Sequence, residues 1–303
     1  ILRFLLNERF QLVHTNDTRI QTLWTLPCVF SQTSHVWHQR TKFTDSTLLK
    51  GFFGLATSHI CISNFVKESC PNNVSRIGAV VVPNAVAPSD PSPEDREQKR
   101  AEILEQVKVV PTDSTVVVGI IGTLSSVKNP LDAISVLAAF SEMTNREVVG
   151  AFIGTDREGL RDLIKTEVAR GGDNIKVFFS NFVSPIEPWL QACDLILACS
   201  KTDGFGRVLV EAMSVGIPVV AARGGGHSEV IRHRETGLLV DLEDPYGVAS
   251  VLEELCANPI FRGYLIETGK KEASARFSPE EHMRRVLNIY KGSTILTHGR
   301  SVS

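Results

Sequence analysis

One stretch of the chain concentrates residue types that can do chemistry: Asp203-Gly-Phe-Gly-Arg-Val-Leu-Val-Glu211, followed by Ala-Met-Ser-Val-Gly-Ile-Pro-Val-Val. The apolar run Leu195–Ala198 before it reads as a strand. Gly204 and Gly206 then make a tight turn, and a helix is predicted from near Phe205. The free amides and positive dipole end of such a helix suit a phosphate, and the glycines let it approach the backbone. Gly204, Phe205, Gly206, Arg207 and Val208 are therefore candidate diphosphate-binding residues. Asp203 and Glu211 are eight positions apart, so one precedes the helix and the other lies about two turns in, near the same face. Carboxylates are poor phosphate ligands but good acceptors for sugar hydroxyls, so a diphosphate held between two sugars satisfies both features. A nucleotide sugar has that layout. Spacing alone equally allows Asp203 as a helix cap and Glu211 as a solvated side chain.

Strands and helices must position this turn. Short apolar runs rich in β-branched residues recur at Gln11–His14, Ile60–Ser63, Val80–Val82, Thr115–Ile121, Val148–Ile153, Lys176–Phe179, Leu195–Ala198 and Val219–Ala221. Stretches of helical periodicity separate most of them, at Pro130–Glu142, Glu158–Ala169, Phe205–Val215 and Tyr246–Ala257. The alternation predicts βαβ units and parallel sheets. Val86–Asp113 breaks the rhythm, with Pro88, Pro91 and Pro93 leading into a polar helix at Glu94–Lys108, and reads as the domain boundary. Residues 1–87 then form a partial α/β domain and 88–277 a complete Rossmann-like domain. In a last helix, Pro279–Tyr290, residues Met283, Val286, Leu287 and Tyr290 fall on one stripe. Residues 278–292 make up this closing segment, and 293–303, without periodicity, are expected to form a flexible tail.

Composition sets the frame. At 303 residues the chain exceeds the usual size of one hydrophobic core, so two domains are expected. Hydrophobic residues at 43% and charged residues at 22% exclude a mainly disordered or fibrous chain. A formal charge of −2 gives no overall positive field for a polyanion, so nucleic acid is not an expected partner. The six cysteines include no C-x-x-C pair and read as buried reduced thiols, so no metal site is expected. No apolar run approaches the roughly 20 residues that span a bilayer, and Ile1–Asn7 is too short for a signal peptide. A soluble, cytoplasmic protein is expected. The chain begins with Ile and enters a strand-like segment almost at once, which suggests a fragment whose N-terminus lies upstream.

Asp203-x7-Glu211 followed by Ala-Met-x-x-Gly-x-Pro-Val-Val resembles the E-x7-E signature of retaining GT-B glycosyltransferases of family 4 (group 1), with Asp203 where Glu is commoner. The resemblance extends over nearly all of Leu12–Tyr290. Val81-Val82-Pro83-Asn84-Ala85-Val86 is similar to the family's V-I-P-N-G-V at the domain junction. Gly122-Thr-Leu-Ser-Ser-Val-Lys128-Asn129-Pro130 is similar to its first βα loop, where an Arg just after the Gly and a later Lys grip the donor diphosphate. Lys128 matches that Lys. Thr123 stands in place of the Arg, leaving Arg207 as a substitute. Asn181-Phe182-Val183 resembles the loop whose backbone reads the nucleotide base. Gly224-Gly-Gly-His-Ser-Glu229-Val-Ile and Thr236-Gly-Leu-Leu-Val match a further run, with Glu229 either a ligand or structural. Leu12-Val-His14-Thr-Asn-Asp17 and Val36-Trp-His38-Gln-Arg-Thr41 are similar to acceptor-domain strand ends. The second carries the family's active-site histidine, with His14 and His35 as competitors to His38.

The resemblance implies an α/β, GT-B fold: two Rossmann-like domains facing a cleft, the first incomplete, with the final helix crossing back to the first. It implies transfer of a sugar from a nucleoside-diphosphate sugar to an acceptor hydroxyl of a glycan, lipid-linked or small molecule, with retention at the anomeric carbon. Asp203 would contact the transferred sugar and Glu211 the ribose. Lys128 and the Gly204–Val208 amides would stabilise the departing diphosphate without a metal or cofactor. Peripheral contact with the inner membrane face, through the N-terminal domain, is compatible with it. The rivals are a GT-B epimerase or phosphorylase and a non-catalytic nucleotide-sugar-binding relative. The Asp203-x7-Glu211 helix and the lack of a pyridoxal-phosphate lysine motif argue against the first pair. Thr123 and Asp203 keep the last open.

Overall fold

The computed structural model describes residues 1–71, 78–87, 89, 91–170 and 175–298. The chain divides into two units, Ile1–Ala85 with Pro279–Ser303, and Val86–Ser278. In the first, β1 (Leu12–Thr15), β2 (Ser34–Gln39), β3 (Ser58–Cys61) and β4 (Val80–Val81) form a parallel sheet in that order. Helices α1 (Leu2–Glu8), α2 (Thr18–Ser31), α3 (Thr47–Leu55) and α4 (Asn64–Ser69) intervene. Asp17 starts α2 by accepting the Arg19 amide at 2.9 Å, as an N-cap should. Val36, Ile60 and Val82 pack against Val286 of the last helix.

The second unit holds α5 (Pro93–Gln106), β5 (Val116–Ile121), α6 (Pro130–Thr144), β6 (Val148–Ile153), α7 (Arg161–Arg170), β7 (Ile175–Ser180), α8 (Glu187–Gln191) and β8 (Leu195–Ala198). It continues through α9 (Arg207–Ser214), β9 (Val219–Ala222), α10 (His227–Val230), β10 (Leu238–Val240), α11 (Pro245–Ala257) and α12 (Pro259–Arg276). Its six-stranded sheet has the order β10-β9-β8-β5-β6-β7, all parallel. β5 and β6 are almost wholly buried, as a sheet covered on both faces requires. Phe140 and Phe152 are fully buried in this core, each stabilising by roughly 2–3 kcal/mol. The Val86 amide donates to the Phe277 carbonyl at 2.9 Å, tying the unit's two ends together.

Four sequence expectations need correction. Helix α9 begins at Arg207, not Phe205, because Gly206 takes a left-handed conformation that ends the loop. The helix expected from Glu158 begins at Arg161, since Asp156 accepts the amides of Glu158, Leu160 and Arg161 and holds the preceding turn. The final helix, α13, runs from Pro279 to His298, so 293–298 are helical and not a tail. Ser293 itself is buried, its hydroxyl bonded to Ser58 at 2.6 Å. The expected strand at Ile60–Ser63 lies two residues earlier, at Ser58–Cys61, because Ser63 is spent capping α4.

Candidate functional site

The chain leaves β7 on one side of β5 and returns as β8 on the other, so the strand order reverses between β5 and β8. A crevice outside the carboxyl ends of the strands is expected at such a switch point. A cavity of about 630 Å³ lies there. Gly122 and Thr123 line it from the loop after β5, and Gly154, Thr155 and Arg157 from the loop after β6. Phe182 to Ile186 come from the loop after β7, Glu187 from the start of α8, and Arg207 and Glu211 from α9. The volume suits a ligand the size of a nucleotide.

Backbone forms part of this wall. The Gly122 amide donates to the Ile153 carbonyl at 2.9 Å, and the Leu124 amide to the Thr155 carbonyl at 3.0 Å. Gly154 has φ +152°, and a Cβ there would stand 2.0 Å from the Gly122 carbonyl oxygen. Only glycine lets the two loops touch backbone to backbone.

The β8–α9 loop is held from two sides. A Cβ at Gly226 would come 2.5 Å from the Gly204 oxygen, and the Gly226 amide donates to the Asp203 carbonyl at 2.8 Å. The triple glycine thus supports this loop. On the other side, Asp203 Oδ2 makes a short ion pair with Lys128, which closes the 3₁₀ turn Ser126–Lys128. Asp203 Oδ1 accepts the Phe205 and Gly206 amides, each at 3.0 Å. Burial pushes the Asp203 carboxyl up, but the Lys128 charge and these bonds outweigh it and hold it down to about 2. Two of the amides expected to bind diphosphate are therefore already bound. Asp203 is not the helix cap that spacing left open, since the N-cap of α9 is Gly206 with no side-chain cap bond; it braces the loop before the helix and partners a cation.

Glu211 is not solvated. Its side chain is 14% exposed and Arg207 Nε lies 2.8 Å from it, one helical turn earlier. Burial pushes its carboxyl up and the guanidinium pulls the other way. Among the predicted site residues, Gly122, Thr123, Phe182, Val183, Arg207 and Glu211 line the cavity; Asp203, Lys128, Asn181, Gly204, Phe205, Gly206 and Val208 are not on its wall. The Asn181 side chain instead accepts from Arg161 at 2.8 Å and braces its loop. Phe182 is 79% exposed at the rim, an aromatic face available for stacking. Glu229 is half-buried on α10 and is not on the wall. Sequence reasoning missed Gly154, Thr155, Arg157 and Glu187. A signal existed, since Ile153-Gly154-Thr155 repeats the Ile121-Gly122-Thr123 pattern at the end of the neighbouring strand.

The first unit gathers histidines at the ends of β1 and β2. His35 is engaged by Thr15 Oγ1 at 2.8 Å and Thr25 Oγ1 at 3.5 Å, both inside the core. His14 Nδ1 lies 2.6 Å from the Tyr290 hydroxyl, and its Nε2 lies 3.2 Å from His38 Nδ1. His38 is fully buried and its Nε2 has no protein partner. Burial first, then Arg40, lowers His14 to about 4 and His38 to about 2, so both rings are neutral at physiological pH. Arg40 is itself held by Asn16, at 3.2 and 3.1 Å, and by Asn84, at 2.8 Å. Tyr290 and His282, which donates to the Pro83 carbonyl at 2.7 Å, were not read as site residues, because their elements lie far away in sequence.

A doubly wound sheet with a ligand-sized cavity at its switch point, and a second parallel-sheet unit in the same chain, are the parts of a GT-B fold. HepE of Anabaena, solved with UDP and glucose, superposes with a TM-score of 0.82 at 22% identity, covering 96% of this chain and 80% of that one. Sucrose-phosphate synthase of Thermosynechococcus elongatus gives 0.75 at 20% identity, over 96% of this chain and 75% of its own. The family model for glycosyl transferases group 1 matches residues 102–272, more than half of the chain. The chain belongs to that family. A D-inositol 3-phosphate glycosyltransferase of Nocardioides sp. is 32% identical over 213 residues, 66% of this chain and 45% of that protein. The chain spans about half the length of the curated relatives it matches. Among the described residues, no helix is long and apolar enough to cross a membrane.

Proposed function

We propose that the protein transfers a sugar from a nucleoside-diphosphate sugar to an acceptor hydroxyl, with retention at the anomeric carbon, in glycan, polysaccharide or glycolipid synthesis. The observation that carries this reading is the 630 Å³ cavity at the strand switch point, with the largely buried carboxylate of Glu211 on its wall. A carboxylate paired to one guanidinium retains lone pairs for two vicinal hydroxyls, which is what a ribose offers. The base lies against the β7 loop at Asn181, Phe182 and Val183, and the diphosphate against the backbone of Gly122 and Thr123. Arg207, 68% exposed at the cavity wall, turns from Glu211 towards the diphosphate when donor binds. Lys128 adds a second cation, and Asp203 holds that ammonium in place while its carboxylate serves the transferred sugar. As the glycosidic bond breaks, charge grows on the departing diphosphate, and these cations stabilise it there without a metal. His38 acts at the sugar. The acceptor is a glycan, a lipid-linked sugar or a small molecule, and membrane contact, where it occurs, is peripheral.

The test is the melting temperature of the chain with UDP-, GDP- and ADP-sugars, repeated in Glu211→Ala. A ligand that binds only the native state at a hundred times its Kd stabilises by about 2.7 kcal/mol. One nucleotide family should raise Tm, and the rise should vanish in the variant. A shift that survives in Glu211→Ala removes Glu211 from the site, and no shift with any donor removes the donor site.

A further inference from the structure

In the first unit, three side chains from elements far apart in sequence form one line of hydrogen bonds. Tyr290 of α13 reaches His14 Nδ1 at 2.6 Å, and His14 Nε2 reaches His38 Nδ1 at 3.2 Å. The line ends at His38 Nε2, a buried atom with no protein partner. Burial and the Arg40 charge keep both rings neutral.

A neutral imidazole has one N–H and one lone pair. Two linked imidazoles therefore cannot choose tautomers independently. If His14 Nδ1 accepts from the phenol, its Nε2 carries the hydrogen and donates to His38 Nδ1, so His38 must carry its own hydrogen on Nε2. Reversing every bond would leave His38 Nε2 a bare acceptor. The phenol decides between the two. Its oxygen shares a lone pair with the ring, so it donates better than it accepts, and burial raises its pKa so that the proton stays on. The 2.6 Å separation is also short for an N–H donor, whose usual distance is about 2.9–3.0 Å, and fits an O–H donor. The backbone end of His38 is fixed as well: its carbonyl accepts from Gln21 Nε2 at 2.7 Å.

We propose that Tyr290 and His14 are positioning residues that fix His38 as its Nε2–H tautomer, so that it offers one hydrogen-bond donor to an oxygen of the sugar substrate. The assignment rests on the reading of His38 as a residue that meets substrate. The tautomer itself does not, since it follows from the hydrogen bonds that link Tyr290, His14 and His38.

The experiment is a long-range ¹H–¹⁵N correlation spectrum of the histidine-labelled full chain at neutral pH, without ligand. Wild type should show His38 protonated on Nε2. Tyr290→Phe should convert His38 to a mixture of tautomers, and His14→Phe, which cuts the line at its next link while keeping the volume, should do the same. An Nδ1–H signal in wild type, or an unchanged Nε2–H signal in both variants, overturns the proposal. Turnover of UDP-, GDP- or ADP-glucose, whichever raises Tm, then separates the two layers. His38→Ala should lose about 10²-fold in kcat, the lower end for a positioned proton-bearing side chain, and His38→Gln, which retains an N–H, should recover part of it. Tyr290→Phe should lower kcat about tenfold alone and change nothing further in His38→Ala, as members of one unit do. Full turnover in His38→Ala, with the tautomers as expected, would overturn the substrate contact and leave the positioning line standing.

Discussion

The Lys128–Asp203 pair joins the β5 loop to the β8–α9 loop across 75 positions of sequence, and breaking it is the sharpest test of how these two loops are held. Asp203 ionises at about 2 in the folded chain, against an ordinary value of 3.8. At about 1.4 kcal/mol per unit, that is roughly 2.5 kcal/mol in total. The Phe205 and Gly206 amides supply part of it, and Lys128 is 35% exposed, so solvent screening reduces its share to about 1 kcal/mol. The perturbation is the double-mutant cycle of Lys128→Met and Asp203→Asn, measured by urea denaturation at pH 7 through Trp189, the tryptophan of that unit. The sign follows from the depressed folded value. The stabilisation is present above about 3.8 and is lost as pH falls through 2, so the coupling should disappear in acid. A coupling energy below about 0.3 kcal/mol at pH 7, within the error of additivity, would refute the claim that this pair holds the loop.

Two further predictions test the backbone wall and the histidine cluster. Gly154→Ala places a Cβ 2.0 Å from the Gly122 oxygen at φ +152°, and should cost at least about 2 kcal/mol in urea denaturation and abolish the donor-induced rise in Tm; a loss under about 0.5 kcal/mol would show that the two loops can part freely. His35 and His38, fully or almost fully buried, are lowered to about 4 and about 2. Their stabilising effect is therefore complete above the ordinary value near 6.5 and is lost as pH falls, at roughly 2 kcal/mol each by pH 5. Equilibrium unfolding of the first unit at pH 7 and pH 5, read through Trp37, should show that loss, and equal stability at the two values would contradict it.

The parts of the fold that sequence made legible share one property: their burial repeats within a few residues. β5, β6 and β8 are runs of Val, Ile and Leu buried on both faces, which no other local pattern explains. β2 was harder to read as a strand from apolarity alone, because Ser34, His35, His38 and Gln39 are polar and yet buried. Their burial depends on Thr15, Thr25, Gln21 and Trp37, partners that only the tertiary fold supplies. Helix α12 was not predicted, although Asn258 caps it by accepting the Phe261 amide at 3.0 Å and Pro259 opens it. The site divided in the same way. Glu211 and Gly122 stood out by spacing after a strand, whereas Tyr290 gains its place only when α13 packs on β1 and β2.

Thr123 shows how a local departure is answered at a distance. The resemblance calls for an arginine at that position, and a threonine cannot neutralise a diphosphate. The same cavity wall carries Arg157 from the β6 loop and Arg207 from α9, so positive charge reaches the crevice from two neighbouring strand ends. A cation there acts through its distance to the phosphate oxygens and not through its position in sequence. Arg207 is also ion-paired to Glu211, so under the proposed function an incoming diphosphate would both recruit the guanidinium and free the carboxylate for hydroxyls. An arginine at position 123 could do only the first, since the Glu211 partner would remain in place.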